Sequence, residues 1–310
     1  MKSLICITTC KRINELKKSI LPYIHFCHQS NDYHFLISLD GTEKEYLDFC
    51  EKYDIPLLYS EEREGVGLSK NRVLTNFSDY RYYFFIEDDV ELYDSKVFDI
   101  HIELHKETGI HHFGCGARKI KETLNTKLGI VDCSMFGGAH FNFFTNESLK
   151  ICGGWHTAFS KYKRYGHTEH SYRFYYNSLN PAPFCVFNKL NDFIILNDPP
   201  HVVNIQISHN ENQLIEEEQK MIDSRQNYFP ITTLSKFEFN NKNISVNLLN
   251  PDLKKQRYYL LRGINKIKAR GNFFLHKFNI SKNPLFLLLS AILYPNNNAL
   301  KHYLKSKIGL

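Results

Sequence analysis

Residues 82–90, Tyr82-Tyr83-Phe84-Phe85-Ile86-Glu87-Asp88-Asp89-Val90, form an apolar and aromatic run that ends in three consecutive carboxylates. Such a run is typical of a buried strand. Three adjacent like charges repel each other, and a strand end desolvates them easily when a counter-charge is present. A hard divalent cation with oxygen ligands is the natural counter-charge. The alternative is a solvated acidic turn after a core strand, since charge runs commonly mark exposed loops.

The acidic run closes a segment of about ninety residues in which strand and helix patterns alternate. The strand patterns are Leu4–Thr8, Phe35–Leu39, Pro56–Tyr59 and residues 82–86. Helical spacing fills the intervals, which predicts an α/β fold with a doubly wound, mostly parallel central sheet and flanking helices. Ligands of such sheets bind at the carboxyl ends of the strands. Here those ends carry Thr8 and Thr9, Asp40, and the acidic run.

Composition limits the class of protein. Hydrophobic residues make up 43% and aromatic residues 14% of the 310 positions, which describes a globular chain with a substantial core. The eight cysteines include no Cys-x-x-Cys pair, so a zinc cage is not expected. Met1-Lys2-Ser3 leads directly into a strand pattern without a signal-peptide pattern, and we expect a cytoplasmic protein.

Two further segments fall at the same predicted edge. Asp40 precedes Gly41, so its carboxylate can accept a hydrogen bond from a base or sugar, although Asp-Gly is also an ordinary turn. Residues 64–72 form a glycine-containing loop that enters a helix, where Lys70 and Arg72 supply charge for a phosphate. The loop is neither a Walker loop nor a complete GxGxxG, so a plain helix start is the equal alternative.

Residues 165–173, Tyr165-Gly166-His167-Thr168-Glu169-His170-Ser171-Tyr172-Arg173, join a glycine turn to a helix pattern. The helix dipole favours a carboxylate such as Glu169 at the helix start, although an acid that merely caps the helix is the alternative. The single tryptophan, Trp155, lies nearby as a platform on which a sugar ring can stack. His209 closes a strand predicted over residues 202–207, where it can meet Asp89 as a metal ligand or serve a structural role.

Taken in order, these segments resemble the inverting glycosyltransferases of family 2, which have the GT-A fold. Residues 4–12 resemble that family's opening strand and nucleotide loop, and residues 39–42 its second strand end. Residues 67–72 are similar to its Gly…Ala-Arg-Asn segment, with Lys70 in the place of the arginine. Residues 86–89 resemble the DxD motif, with Glu87 for the first aspartate. Residues 165–170 are similar to the acceptor-site motif. The resemblance covers about residues 1–210.

The resemblance implies a metal-dependent transferase, of the type that builds bacterial surface polysaccharides, in which a sugar moves from a nucleotide-sugar to a hydroxyl group of a glycan or lipid-linked glycan. It implies Glu169 as the catalytic base, Trp155 and His170 at the acceptor, and Mn²⁺ or Mg²⁺ as the cofactor. The implied metal ligands are Asp89, Glu87 and His209. The implied ligands of the donor, with uridine as its base, are Thr8, Thr9, Arg12, Asp40, Gly67, Lys70, Asn71, Glu87 and Asp88.

The charge of the chain is asymmetric along its length. Residues 251–310 carry twelve Lys or Arg and one acid, Asp252, whereas the remainder has a net negative charge. We predict a GT-A domain over 1–230, with a nucleotide half at about 1–110 and an acceptor half at about 111–230. Residues 231–310 form a basic, mainly helical extension. Its apolar segment Pro284–Pro295 is too short to span a bilayer, so it either lies in the interface of an anionic membrane or packs on the domain.

Three other classes of function compete with a transferase. A non-catalytic nucleotide- or carbohydrate-binding module does not require both Asp89 and Glu169. A metal-dependent nucleotidyltransferase or phosphohydrolase uses the acidic run but leaves Trp155 and the Glu169 segment unexplained. Nucleic-acid binding rests on the basic tail without a recognised motif, and we do not expect it.

Overall fold

A computed structural model describes residues 2–162, 165–197, 211–224, 227–229, 231, 237–239 and 266–293. The strands are β1 Ser3–Thr9, β2 Tyr33–Leu39, β3 Leu57–Ser60, β4 Tyr82–Glu87, β5 Val90–Leu92, β6 His112–Asn125, β7 Ile130–Thr145, β8 Phe184–Phe187, β9 Ile194–Leu196 and β10 Phe237–Phe239. The helices are α1 Ile13–Ser19, α2 Leu21–His28, α3 Lys44–Lys52, α4 Val66–Asn76, α5 Lys96–Thr108, α6 Asn146–Cys152, α7 Thr157–Tyr162, α8 Gly166–Tyr176, α9 Glu211–Ser224, α10 Lys266–Ser281 and α11 Pro284–Leu293.

The predicted α/β architecture, with a central sheet and flanking helices, is confirmed. Strands β3, β2, β1 and β4 lie side by side in that order and are parallel. Their register aligns Thr8 with Glu87 and Thr9 with Leu39, so the strand ends that carry the predicted site meet at one edge. Beyond β4 the sheet continues with β7 and β6, which are antiparallel to their neighbours, and β10 pairs antiparallel with β3.

The core lies on both faces of this sheet. Along β4, Phe84 and Ile86 point to one apolar cluster, whereas Tyr83 and Phe85 point to the other. Both faces of the strand are therefore covered, which explains its unbroken apolar run. Each fully buried phenylalanine of this kind contributes about 1.5–3 kcal/mol to folding. The acidic run begins where this two-sided burial ends.

One predicted local structure differs from the observed one. The pair Gly137-Gly138 reads as a turn before a strand but lies within β7. A Cβ at Gly137 would lie 2.5 Å from Cδ1 of Phe184 on β8, and one at Gly138 would lie 3.2 Å from Sγ of Cys115 on β6. The glycines therefore allow close approach between strands rather than a chain reversal. The strand predicted at 202–207 and the hairpin arm at 244–246 lie outside the described residues.

The C-terminal extension is helical where the structure describes it. Helix α10 packs on α5, because His276 Nδ1 and the Asn279 amide both donate to the Thr108 carbonyl at 3.0 Å. Phe273 is buried in the main core. Among the described helices, none combines the length and apolarity that crossing a membrane requires. The boundary at residue 230 stays a prediction.

Candidate functional site

Three potential metal ligands meet at the carboxyl edge of the sheet. Glu87 is the last residue of β4, and Asp89 lies in the turn that follows. His140 of β7 is level with Glu87, because the preceding pair in the register is Ile86 with Phe141. One ligand atom from each of Glu87, Asp89 and His140 lies within 4.8 Å of the other two. Strands β4 and β7, which run antiparallel to each other, thus place two carboxylates and an imidazole at one point.

The middle carboxylate of the acidic run has a different role. Asp88 has no exposed surface, accepts a hydrogen bond from Thr9 Oγ1 at 2.5 Å, and forms an ion pair with Arg12. Burial raises the pKa of Asp88 to about 6, although Arg12 and Thr9 oppose that rise. Arg12 also donates to Asp89 Oδ2 at 2.9 Å. Asp88 and Arg12 therefore fasten the turn after β4 to the end of β1.

The cluster fits a divalent cation. The second oxygen of Asp89, Oδ1, is buried and has no hydrogen-bond partner among the described residues. An unsatisfied buried carboxylate oxygen is costly, and a metal ion satisfies it. His140 Nε2 lies 3.8 Å from Glu87 Oε2. Contact with the Cys115 thiol, followed by the negative charges of Glu87 and Asp89, raises the pKa of His140 to about 9 against the effect of burial. The unpartnered oxygen of Asp89 and the charge of Glu87 favour a positive charge at this point, and a cation bound by His140 would displace the imidazolium proton.

A cavity of about 400 Å³ opens beside this cluster. Glu87 and His140 form part of its wall, and Gly137 and Gly138 of β7 also line it. Its remaining lining residues come from β6, β7, α8 and β8: Arg118, Phe136, Ala139, His167, Thr168 and Phe184. The cavity therefore joins the carboxyl edge of the sheet to the first turn of α8, where the sequence predicted the acceptor site.

Glu169 does not reach this cavity. Its carboxylate has no exposed surface and contacts Arg173, one turn later on α8, at 2.7 Å through Nε and 2.9 Å through Nη2. Arg173 is equally buried and also donates to the carbonyls of Cys152 and Gly154. Burial raises the pKa of Glu169, and Arg173 opposes that rise. Because both oxygens are held inside the protein, the predicted role of Glu169 as the base has no geometric support in this structure.

The predicted acceptor residues are also internal. Trp155 is 3% exposed, and its ring packs edge-on against Phe85 and Phe144. His170 is 1% exposed, and its Nε2 lies 3.0 Å from the Gly153 carbonyl. Neither ring offers a face to a sugar. These residues have the spacing of the acceptor-site motif, but their aromatic side chains fill the space between α8 and the sheet.

The glycine-containing loop and α4 fix the position of Trp155. Asn71 is fully buried, donates to the Trp155 carbonyl at 2.9 Å and accepts from its backbone N–H at 2.8 Å. A Cβ at Gly67 would lie 3.1 Å from Cβ of Trp155, so the close approach favours glycine there. Lys70 is 1% exposed, with Nζ 5.4 Å from the centre of the Trp155 ring. Lys70 and Asn71, predicted to bind the donor, thus lie beneath the surface, whereas Gly67 is partly exposed.

The remaining predicted donor ligands are buried or serve the backbone. Thr8 Oγ1 donates to the Ile86 carbonyl at 3.3 Å. Asp40 is 4% exposed, and its oxygens accept from the backbone N–H groups of Glu64 and Gly65 at 2.7 and 2.8 Å. Asp40 therefore orders the loop before α4. His209 lies outside the described residues, so its predicted role as a metal ligand stays a prediction.

Sequence reasoning missed three residues that line the cavity: Arg118, His140 and His167. His140 stands in a segment that reads as a turn, and its place beside Glu87 follows from the β4–β7 register, which one sequence does not reveal. His167 is part of the quoted motif, two residues before Glu169. The sequence did contain a signal for the ion pair of Glu169 and Arg173, because an acid and a base four residues apart on a helix commonly pair with each other.

Comparison with known proteins shows similarity of fold. No protein-family model and no curated protein sequence matches the chain. The mannosyltransferase PcManGT from Pyrobaculum calidifontis, solved with GDP-Man and Mn²⁺, aligns over 94% of this chain and 73% of its own at 10% identity, with a TM-score of 0.50. S. aureus TarS 1–349 with UDP-GlcNAc aligns over 99% and 92% at 13% identity, with a TM-score of 0.47. PcManGT therefore shares the fold of this chain, whereas the TM-score of TarS, 0.47, supports no further conclusion.

Proposed function

We propose that this protein is a metal-dependent glycosyltransferase that uses a nucleotide-sugar donor. The observation that carries the proposal is the Glu87–Asp89–His140 cluster, with its buried unpartnered oxygen, at the carboxyl edge of the sheet and beside a cavity. Ligands of doubly wound sheets bind at this edge. PcManGT, which shares the fold, was solved with a nucleotide-sugar and Mn²⁺.

The chemistry of the donor suits the charges of this edge. A nucleotide-sugar loses a nucleoside diphosphate, so negative charge develops on the leaving oxygen. Arg118 lines the cavity, and Arg12, with a side chain 21% exposed, lies next to the acidic turn. Glu87, Asp89 and His140 would hold a cation whose contribution is to neutralise this charge. A ligand set that includes an imidazole favours Mn²⁺ over Mg²⁺, which prefers oxygen ligands.

Five degenerate motifs in family order support the finer assignment. They favour an inverting enzyme of glycosyltransferase family 2, with a UDP-sugar as donor and a glycan or lipid-linked glycan hydroxyl as acceptor in surface-polysaccharide synthesis. In an inverting reaction the acceptor oxygen attacks the anomeric carbon on the face opposite the leaving diphosphate. The acceptor must then enter from the side of the cavity away from the leaving diphosphate.

Thermal unfolding in the presence of nucleotides tests this proposal. We expect UDP, GDP or one of their sugars to raise the midpoint of unfolding with Mn²⁺ and to have little effect with EDTA. A ligand at about 100 times its Kd adds about 2.7 kcal/mol to the free energy of unfolding. ADP and CDP serve as comparison nucleotides. If no nucleotide or nucleotide-sugar stabilises the protein in either condition, the proposal is wrong.

We also propose that the protein works at the inner, cytoplasmic face of a membrane. Leu285, Leu288 and Ile292 lie along one side of α11 and are 54%, 47% and 63% exposed. Residues 251–310 carry twelve basic residues and one acid, which complements anionic lipid headgroups. Such an apolar face with basic neighbours suits binding in the interfacial plane of a bilayer.

Co-sedimentation of the full chain with vesicles tests this placement. We expect binding to vesicles that contain phosphatidylglycerol and weaker binding to phosphatidylcholine alone. The triple variant Leu285→Ser, Leu288→Ser, Ile292→Ser should lose binding. Ile195→Ser, which changes an apolar residue 48% exposed on β9, should retain it. Equal binding by the triple variant and the wild-type chain would show that α11 is not the contact.

A further inference from the structure

We propose that His167 is the general base that deprotonates the acceptor, and that the buried pair of Glu169 and Arg173 stabilises the helix that carries it. The inference rests on the proposed function, because it names a catalytic group of the same site. It assigns proton transfer to an imidazole, whereas the resemblance implies the carboxylate of Glu169.

The residues that line the cavity limit which group can accept a proton. The residues around it include four ionisable side chains: Glu87, Arg118, His140 and His167. Glu87 and His140 belong to the metal cluster, and an arginine is not a base at ordinary pH. Among the described residues that line the cavity, His167 is the remaining group able to accept a proton. It lies in the first turn of α8, within the segment that resembles the family's acceptor-site motif.

The ion pair of Glu169 and Arg173 stabilises the helix on which His167 lies. Glu169 and Arg173 pair along α8, and Arg173 donates to the Cys152 carbonyl at 2.5 Å and to the Gly154 carbonyl at 2.6 Å. These bonds tie α8 to the end of α6 and to the loop that follows it. Tyr165 precedes the helix with a φ of 62°, so the chain enters α8 by a sharp turn. The first turn of α8 is thereby fixed, and His167 lies on it at the cavity wall.

The protonation state of His167 is consistent with the role. Burial, followed by the nearby charge of Lys70, lowers the pKa of His167 to about 4, so the ring is neutral at ordinary pH. Its Nε2 lies 3.3 Å from the Thr168 hydroxyl, whereas Nδ1 has no hydrogen-bond partner among the described residues. When Nε2–H donates to that hydroxyl, Nδ1 keeps a free lone pair.

The proposed step is a direct displacement at the anomeric carbon of the donor sugar. Nδ1 of His167 takes the hydroxyl proton of the acceptor while the acceptor oxygen forms a bond to the anomeric carbon of the sugar. The bond between that carbon and the diphosphate oxygen breaks, and its electron pair leaves with the nucleoside diphosphate. The imidazolium then returns its proton to water. The products are an inverted glycoside, a nucleoside diphosphate and a proton.

The test uses the full chain, Mn²⁺ and the nucleotide-sugar that stabilises it most among UDP-Glc, UDP-Gal, UDP-GlcNAc, UDP-GalNAc and GDP-Man. The readout is release of the nucleoside diphosphate with water as the acceptor, together with the Kd of the donor. We expect His167→Gln to bind the donor within about twofold of wild type and to lose about 10²–10⁴-fold in kcat. We expect His167→Glu, which restores a base, to recover at least tenfold over His167→Gln.

Controls separate this inference from the proposed function. His25→Gln changes an exposed histidine of α2 and should match the wild-type protein in both readouts. A kcat for His167→Gln within threefold of wild type would overturn the assignment. So would a loss of donor affinity equal to the loss of kcat, or equal inactivity of the Gln and Glu variants with binding intact. If the wild-type chain binds none of the donors, the proposed function fails before His167 is tested.

Discussion

The acidic turn after β4 and the buried ion pair of α8 both place carboxylates where a family motif predicts function, but their surroundings differ. At the turn, Asp89 keeps one buried oxygen without a partner, and Glu87 is partly exposed beside a cavity. In α8, both oxygens of Glu169 contact the guanidinium of Arg173 inside the core. Both carboxylates pair with an arginine, and neither Asp89 Oδ1 nor Glu169 Oε1 makes a hydrogen bond among the described residues, but Oε1 lies 2.7 Å from Arg173 Nε. A buried carboxylate oxygen that faces no cation favours a ligand. The comparison therefore favours the acidic turn as the binding site and the α8 pair as part of the core.

The largest expected effect is the loss of the buried ion pair. Glu169→Gln leaves the Arg173 charge buried without its counter-charge, and such a change costs about 3–5 kcal/mol. Urea unfolding followed by circular dichroism measures this loss. Release of nucleoside diphosphate by the remaining folded protein should stay within a few-fold of wild type.

A double variant sharpens the same comparison. Glu169→Leu with Arg173→Met removes both charges, and replacing both partners of a buried pair by apolar groups is often close to neutral. We therefore expect the double variant to be more stable than Glu169→Gln. The opposite pattern, in which Glu169→Gln has wild-type stability and loses kcat, would return the role of base to Glu169.

A smaller effect is expected at the contact between α4 and Trp155. Asn71→Ala removes two hydrogen bonds to the Trp155 backbone and leaves buried polar groups unpaired. Each unsatisfied buried group costs about 1–3 kcal/mol, so the midpoint of urea unfolding should fall. The Kd of the donor should change little, because Asn71 is fully buried. Wild-type stability combined with a large loss of donor affinity would show that Asn71 binds the donor instead.

Much of the fold could be predicted from the sequence because its signals are local. The alternation of apolar runs and helical spacing identified β1 to β4, and the residues that end these strands do meet at one edge. Glycine and helical spacing also placed the start of α8 near Glu169. These patterns depend on neighbours in the chain, and a single sequence contains them.

The site was harder to predict because its contacts are between distant segments. Asn71 holds Trp155, and His140 joins Glu87, through pairings that span many residues. The motif with Lys70 and Asn71 has the spacing of a donor loop, yet these side chains point inward. A motif gives the position of a residue along its element, whereas exposure depends on what packs against that element.

Direct titration with Mn²⁺ tests the central claim, that Glu87, Asp89 and His140 form a cation site. We predict that calorimetry detects one Mn²⁺ per wild-type chain in the presence of the best nucleotide. Removing a direct ligand by Asp89→Asn or His140→Gln should weaken the affinity at least about 100-fold. Asp94→Asn, which changes an acid near the surface beyond β5, should leave it unchanged. Equal Mn²⁺ affinity in all four proteins would contradict the account.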